Sequence, residues 1–229
     1  GKDYIIVHRE CGICRLLAEY MMEVRLNGRV YTCLEQLREQ ADEELFLFLE
    51  EWFDDRSYVL GHTSGSTGAP KEIQLSKADM RASARMTNAF FAIDRESVLL
   101  LCLSVSYIAG KMMVVRALEA GAELLTVKVS SHPLRITGQE EYVDRRIDLA
   151  AMVPMQGEES MKSESEKQRF GYIRHLIIGG APVSVALEER LKKIPTQCYA
   201  TYGMTETVSH IALKKLNSDP AYFALGEVG

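Results

Sequence analysis

Apolar residues in this chain fall into short runs that alternate with stretches of helical spacing, and the alternation predicts most of the secondary structure. Tyr4–Val7 is predicted as a strand, and Cys11–Glu23 carries apolar residues at the spacing of an amphipathic helix. Val24–Leu26 and Val30–Tyr31 flank Asn27-Gly28, a dipeptide suited to the positive φ angles of a tight hairpin. Thr32-Cys33-Leu34-Glu35 has the spacing of a capping box, so a helix is expected from there to about Phe53. Tyr58–Leu60 reads as a strand, and Ser76-Lys77-Ala78-Asp79 as a second capping box that opens a helix to about Phe91. Further strands are expected over Val98–Leu103, Leu124–Val129, Leu149–Val153, His175–Ile178 and Cys198–Thr201. Between them, Ile108–Glu119 reads as a helix ended by Gly121, Glu158–Gln168 as a charged helix, and Ser184–Lys193 as another.

Strands alternating with helices imply the α/β class, with a mostly parallel sheet covered by helices on both faces. No internal repeat and no low-complexity linker divides the chain. The change of rhythm near Tyr58 suggests an α+β segment over residues 1–57 packed on a main α/β domain over 58–229.

Composition narrows the class of molecule. Hydrophobic residues make up 47% and charged residues 26% of the 229 positions, which excludes a disordered chain, a collagen-like repeat and a coiled coil. No apolar run approaches the ~20 residues that span a bilayer, and no leader-like start is visible, so a cytoplasmic protein without a membrane span is expected. Asp and Glu outnumber Lys and Arg, 32 to 27, and the net charge of −5 argues against nucleic acid as a partner. A small phosphorylated ligand is still compatible, because one loop and a metal ion can reverse the sign locally. Five cysteines, an odd number, are expected as free thiols. Cys11 and Cys14 form one close pair, but Cys33, Cys102 and Cys198 supply no second pair for a four-ligand zinc site. The sequence leaves a homo-oligomer open.

Candidate chemistry concentrates in Thr63-Ser64-Gly65-Ser66-Thr67-Gly68-Ala69-Pro70-Lys71. Glycines let backbone N–H groups approach an anion, the hydroxyls donate further hydrogen bonds, and Lys71 adds a full charge. By itself the segment reads either as a phosphate-gripping loop or as a flexible Gly/Ser turn. It fits neither G-x-x-x-x-G-K-[ST] nor G-x-G-x-x-G. Gly61-His62-Thr63-Ser64-Gly65 imitates a nucleophile elbow with Thr for Ser, but the longer segment accounts for the same residues. His8, His132 and His175 show no metal-ligand spacing, and Arg145-Arg146 reads as part of a solvated helix.

The T-S-G-S-T-G-x-P-K segment resembles the phosphate loop of the adenylate-forming superfamily, which contains acyl-CoA synthetases, luciferases and peptide-synthetase adenylation domains. Tyr202-Gly203-Met204-Thr205-Glu206-Thr207 is similar to its Y-G-x-T-E motif, and Ile178-Gly179-Gly180-Ala181-Pro182 to its glycine-rich adenine turn. Leu225-Gly226-Glu227-Val228-Gly229 resembles the G-x-V-G stretch that follows, and the order and gaps of all four segments agree. Within that superfamily, Tyr202–Ser209 with His210-Ile211, and Met152-Val153-Pro154-Met155-Gln156, resemble the o-succinylbenzoate–CoA ligases of menaquinone biosynthesis.

The resemblance implies a large N-terminal domain that activates a carboxylic acid with ATP and Mg²⁺ and passes it to CoA as co-substrate. It implies that Thr63, Ser64, Gly65, Ser66, Thr67, Gly68 and Lys71 hold the outgoing phosphates. Gly179, Gly180, Ala181, Pro182, Tyr202, Gly203 and Met204 would surround the adenine. Thr205 would meet the α-phosphate and Glu206 the metal, with Thr205, Glu206 and Lys71 as the catalytic set. Tyr107, Lys111, Ser209 and His210 are placed around the acyl group. Tyr107 stands where relatives have a His, in Leu103-Ser104-Val105-Ser106-Tyr107-Ile108-Ala109-Gly110, so it reads equally as a substrate contact or a core aromatic. The chain also stops short of the family's ribose-binding Asp, hinge and C-terminal domain with its catalytic Lys, which the resemblance reads as truncation. Activation of another aryl or fatty acid, or a non-catalytic nucleotide-binding module, are the alternatives.

Overall fold

The computed structural model describes residues 22–62, 72–135, 145–204, 209–217 and 221–224, with residues 202–204 and 209–211 described by backbone alone. The expected strand over Tyr4–Val7, the helix from Cys11 and the Cys11/Cys14 pair lie outside them. The first elements are β1 (Val24–Leu26) and β2 (Arg29–Tyr31), an antiparallel hairpin closed by Asn27 at φ 49° and Gly28 at φ 80°. Both turn residues are left-handed, as a two-residue hairpin of this twist requires. Asn27 does more than turn. Its Oδ1 accepts from Thr126 N at 2.9 Å and its Nδ2 donates to Thr126 Oγ1 at 2.9 Å, fastening the hairpin to the main sheet.

The single helix expected up to Phe53 is two helices, α1 (Leu34–Leu37) and α2 (Glu43–Phe53). Asp42 causes the break, because its carboxylate accepts from Leu45 N at 2.8 Å and caps α2 afresh. Thr32 does not cap α1; the N-cap is Cys33, and the Gln36 side chain instead accepts from Thr32 N at 3.0 Å. β3 (Tyr58–His62) and β4 (Glu72–Ser76) form a separate antiparallel pair that brackets residues 63–71. Ser76 then caps α3 (Lys77–Phe91), accepting from Asp79 N at 3.2 Å as its spacing predicts.

The rest follows the βα rhythm: β5 (Val98–Leu101), α4 (Ile108–Ala120), β6 (Glu123–Thr126), β7 (Ile147–Met152), α5 (Pro154–Ser160), α6 (Glu164–Arg169), β8 (Ile173–Ile178), α7 (Val185–Leu191) and β9 (Gln197–Met204). Gly121 ends α4 at φ 62°. The charged helix expected over Glu158–Gln168 is broken into α5 and α6, because Ser163 competes for a backbone N–H and caps the second piece. Arg145 and Arg146 are not helical. They lead into β7, and Arg145 grips Glu123 with two bonds of 2.7 and 2.6 Å, a buried carboxylate that also accepts from Gly28 N at 2.7 Å. That set of bonds holds Glu123 below the usual carboxylate range. After β9 come two strands that the apolar pattern does not predict, β10 (Ser209–Lys215) and β11 (Tyr222–Ala224).

Among the described residues, nine strands make one sheet in the order β11-β10-β9-β8-β7-β5-β6-β1-β2. The run from β1 through β9 is parallel, with antiparallel β2 at one edge and β10-β11 at the other. Alternate strand residues feed two cores. Leu99, Leu101, Leu149, Ile177 and Tyr199 face α3 and α4, where Met80, Ala84, Met112 and Met113 are buried. Leu100, Ala150, Leu176, Ile178 and Cys198 face the opposite core, which Leu187, Leu191 and Phe170 fill. Helices therefore cover both faces, as the α/β reading expects. Burial pushes the Cys102 and Cys198 thiols up to about 12, so they remain protonated packing residues, and among the described residues all cysteines are free. No described helix is long and apolar enough to cross a membrane.

Candidate active site

Because β5, β7, β8 and β9 are parallel neighbours, the residues after each strand emerge along one edge. The chain leaves β5 toward β6 on one side and returns to β7 on the other, so the strand order reverses between β5 and β7. Open α/β sheets bind ligands outside the carboxyl ends of their strands, in the crevice such a reversal creates.

The glycine turn lies on this edge. Gly179 N donates to Met152 O at 3.1 Å, tying the end of β8 to the end of β7. A Cβ at Gly179 would sit 2.0 Å from Thr201 Oγ1 on β9, so no larger residue fits without a shift. Gly180 follows at φ 83°, a conformation that excludes most side chains. Gly180, Ala181 and Pro182 are exposed, leaving their backbone open to a flat ligand. Ser184 then caps α7, accepting from Leu187 N at 3.1 Å.

Gln156 occupies the reversal point. Its side chain is buried; Nε2 donates to Cys102 O at 3.0 Å and to Ser130 O at 2.9 Å, while Oε1 accepts from Val153 N at 3.2 Å. One amide thus joins the segments that leave β5, β6 and β7. Burying an amide is costly unless its groups are satisfied, and here they are. In the sequence Gln156 stands out only as part of Met152-Val153-Pro154-Met155-Gln156; its bonds depend on strand order, which no local spacing reveals.

The segment after β5 forms the neighbouring wall. Tyr107 N donates to Ser104 O at 3.3 Å, and a Cβ at Gly110 would sit 2.1 Å from that same oxygen, so α4 starts hard against the loop. Tyr107 is 59% exposed, which removes the core-aromatic alternative and leaves its ring available to a ligand. Lys111 is turned the other way: it is buried, with Nζ 4.4 Å from the Phe48 ring centroid on α2.

β9 carries the backbone of Tyr202, Gly203 and Met204 to the same edge, and β10 returns beside it, pairing Ser209 with Met204 and His210 with Gly203. Thr205 and Glu206 lie outside the described residues, as do Thr63, Ser64, Gly65, Ser66, Thr67, Gly68 and Lys71. The phosphate segment is nonetheless bracketed by β3 and β4, and this hairpin is anchored at its base. Lys77 Nζ donates to Asp54 Oδ1 at 2.8 Å and to Asp54 O at 2.9 Å, and the ion pair holds the Asp54 carboxyl down to about 2. The described residues contain no group of three His, Cys, Asp or Glu side chains that could hold a metal. A Mg²⁺ carried by nucleotide phosphates needs only one or two protein carboxylates, and Glu206, the carboxylate expected for it, lies outside the described residues.

A family model described as AMP-binding enzyme matches residues 25–229. An acyl-CoA synthetase (AMP-forming)/AMP-acid ligase II-like protein from Dyadobacter fermentans is 34% identical in a superposition with TM-score 0.74, covering 84% of this chain and 55% of that one. The 2-succinylbenzoate–CoA ligase of Oceanobacillus iheyensis is 25% identical over 198 residues, covering 82% of this chain and 40% of its own length. The o-succinylbenzoate coenzyme A synthetase of Bacillus subtilis, in complex with ATP and magnesium ion, shares the fold at 22% identity and TM-score 0.56, over 68% of this chain and 32% of that one. The chain thus spans well under two thirds of the length of each of these relatives.

Proposed function

Because the chain belongs to the AMP-binding enzyme family, we propose that the complete protein activates a carboxylic acid with ATP and hands the acyl group to coenzyme A. A carboxylate oxygen bonds to the α-phosphorus as the bond to pyrophosphate breaks; the thiol sulfur of CoA then takes the acyl carbon and releases AMP. The observation that carries this reading is the strand-end edge itself. There the Gly179–Pro182 turn, the Gln156-tied reversal and the end of β9 at Tyr202–Met204 follow the carboxyl ends of neighbouring strands.

Both reactants are anions, so the site has to neutralise charge and hold them in line. Lys71 and the hydroxyls of Thr63, Ser64, Ser66 and Thr67, with the backbone of Gly65 and Gly68, grip the outgoing phosphates. The backbone of Gly179, Gly180 and Ala181, bounded by Pro182, lies along the adenine, with Tyr202, Gly203 and Met204 on its other side. Thr205 donates to the α-phosphate. Glu206 would hold Mg²⁺, which would supply positive charge at the phosphates. Tyr107, Ser209 and His210 border the acyl group; Lys111, engaged with α2, is left out of that set.

The acid we propose is o-succinylbenzoate, and the setting the cytoplasm. Support comes from seven 2-succinylbenzoate–CoA ligases that align over 76–89% of this chain, and from Tyr202–Ser209. The test is pyrophosphate release from MgATP by the full-length protein over a panel of carboxylic acids. Release that depends on o-succinylbenzoate is expected. Release with another acid would replace the substrate, and MgATP binding without release for any acid would identify a nucleotide-binding module.

A further inference from the structure

We infer that Glu166 is a positioning residue that fixes the wall carrying Tyr107, acting through His132, Ser130 and Gln156. The kinetic part of this inference rests on the acid-activating reading above; the structural part does not.

Glu166 lies in α6, and its side chain is only 1% exposed. Three donors converge on its carboxylate. Ser160 Oγ, from the last residue of α5, donates to Oε2 at 2.9 Å. His132 Nδ1 lies 2.8 Å from Oε1, and Arg135 Nε lies 3.7 Å from the same oxygen. His132 and Arg135 belong to the chain that leaves β6, so a buried anion on α6 grips that segment. A carboxylate this deep is costly unless its oxygens are bonded, and both are. An ionised carboxylate only accepts, so the His132 proton is placed on Nδ1.

The hydrogen bonds continue toward the crevice. His132 N donates to Ser130 Oγ at 3.2 Å, closing a tight turn. Ser130 O accepts from Gln156 Nε2 at 2.9 Å, and the same nitrogen donates to Cys102 O at 3.0 Å. Cys102 follows β5 and opens the segment that reaches Tyr107. A series of bonds thus runs from α6 to the wall after β5. The glycine turn stands outside it, because Gly179 N is fastened separately to Met152 O.

If the grip of Glu166 is lost, Ser130 O is free to leave Gln156. The amide then lacks one of its two acceptors and turns more easily away from Cys102 O and Val153 N. The wall after β5 loosens while the glycine turn keeps its own anchor. The rival account is that Leu134, buried in the core beneath α5 and α6, holds residues 127–135 by itself.

The experiment uses the full-length protein. Nitrogen-15 NMR of the histidine rings, with His132→Leu identifying the signal, should show the His132 proton on Nδ1. Exchange at the Val153 amide, whose acceptor is Gln156 Oε1, should speed up at least about threefold in Glu166→Leu and in His132→Leu. The second variant decides alone if the first does not fold, because the His132 ring is 28% exposed and tolerates replacement better. His132→Asn, whose amide N–H can stand in for Nδ1–H, should keep most of the protection. In MgATP–pyrophosphate exchange, each leucine variant should raise KM for o-succinylbenzoate by about two- to thirty-fold and leave KM for MgATP within about twofold. Unchanged Val153 exchange in His132→Leu, or a His132 proton on Nε2, would overturn the inference. So would a KM for the acid that stays put or rises no more than that for MgATP. If no acid supports turnover, the ligase reading fails, and the Val153 and nitrogen-15 results decide this inference by themselves.

Discussion

Replacing Gly179 with alanine tests how tightly the glycine turn after β8 is built. The new Cβ would lie 2.0 Å from Thr201 Oγ1, 3.4 Å from Thr201 Cβ and 3.9 Å from Thr201 Cγ2. Only the hydroxyl is in conflict; the other two atoms are at ordinary contact distance. Relief comes from rotating Thr201 on a strand flanked by β8 and β10, or from lifting the turn away from Met152 O. Forcing one extra carbon into a packed site commonly costs about 1–3 kcal/mol, and Gly179→Ala should fall in that range. If the turn lifts, nucleotide affinity falls as well, by roughly tenfold for each ~1.4 kcal/mol spent on restoring it. Thr201→Ala removes the offending oxygen. Its own cost should be under ~1 kcal/mol, because the hydrogen bond it deletes, to Ile178 O, is a long one at 3.5 Å. The double variant should therefore recover most of the stability and most of the affinity. Urea unfolding and titration with MgATP on the two single variants and the double one give both quantities. A Gly179→Ala protein with unchanged midpoint and affinity, or a Thr201→Ala change that restores neither, would refute the packing argument.

Three further outcomes follow from the same structure. His175 is buried beside Phe91 and Tyr199 with Nδ1 unpartnered, and burial lowers its pKa from 6.5 to about 4. The unfolded chain binds the proton more readily, so stability present above pH 6.5 should be lost by up to ~3 kcal/mol as pH falls toward 4, and His175→Leu should flatten that part of the unfolding profile. Gln156→Leu leaves Cys102 O, Ser130 O and Val153 N without their buried partner; a loss of about 2–4 kcal/mol in urea unfolding is expected, and a loss below ~1 would show that the amide is dispensable. Peptide-resolved thiol labelling at mildly alkaline pH should mark Cys33 well before Cys102 and Cys198, and equal rates would mean the sheet core opens easily.

What could be read from the sequence was local. Asn27-Gly28, the Ser76 cap and Gly121 each set their backbone with residues a few positions apart, and each structural element is where the pattern puts it. The two overlong helices failed for a local reason of the opposite kind, since Asp42 and Ser163 offer their own oxygen to a backbone N–H and restart the helix. β10 shows no strict two-residue alternation, because Ile211, Ala212 and Leu213 are three apolar residues in a row, too short a run to separate strand from helix by pattern. Glycines, by contrast, betrayed the turn at Gly179–Gly180. The Arg145 clamp on Glu123, the Gln156 junction and the contact of Lys111 with the Phe48 ring were illegible, because each joins residues brought together only by strand order or helix packing.

The claim on which the rest depends is that an acyl-adenylate sits at the carboxyl edge of β5, β7, β8 and β9. Hydrogen exchange of the full-length protein, with and without a non-hydrolysable o-succinylbenzoyl adenylate analogue, tests it most directly. The account requires slower exchange in residues 102–107, 153–157 and 179–183 and in Tyr202–Met204, with no change at the opposite edge, where residues 145–148 and 170–174 enter β7 and β8. Protection confined to that opposite edge, or to α3 and α4, would contradict it.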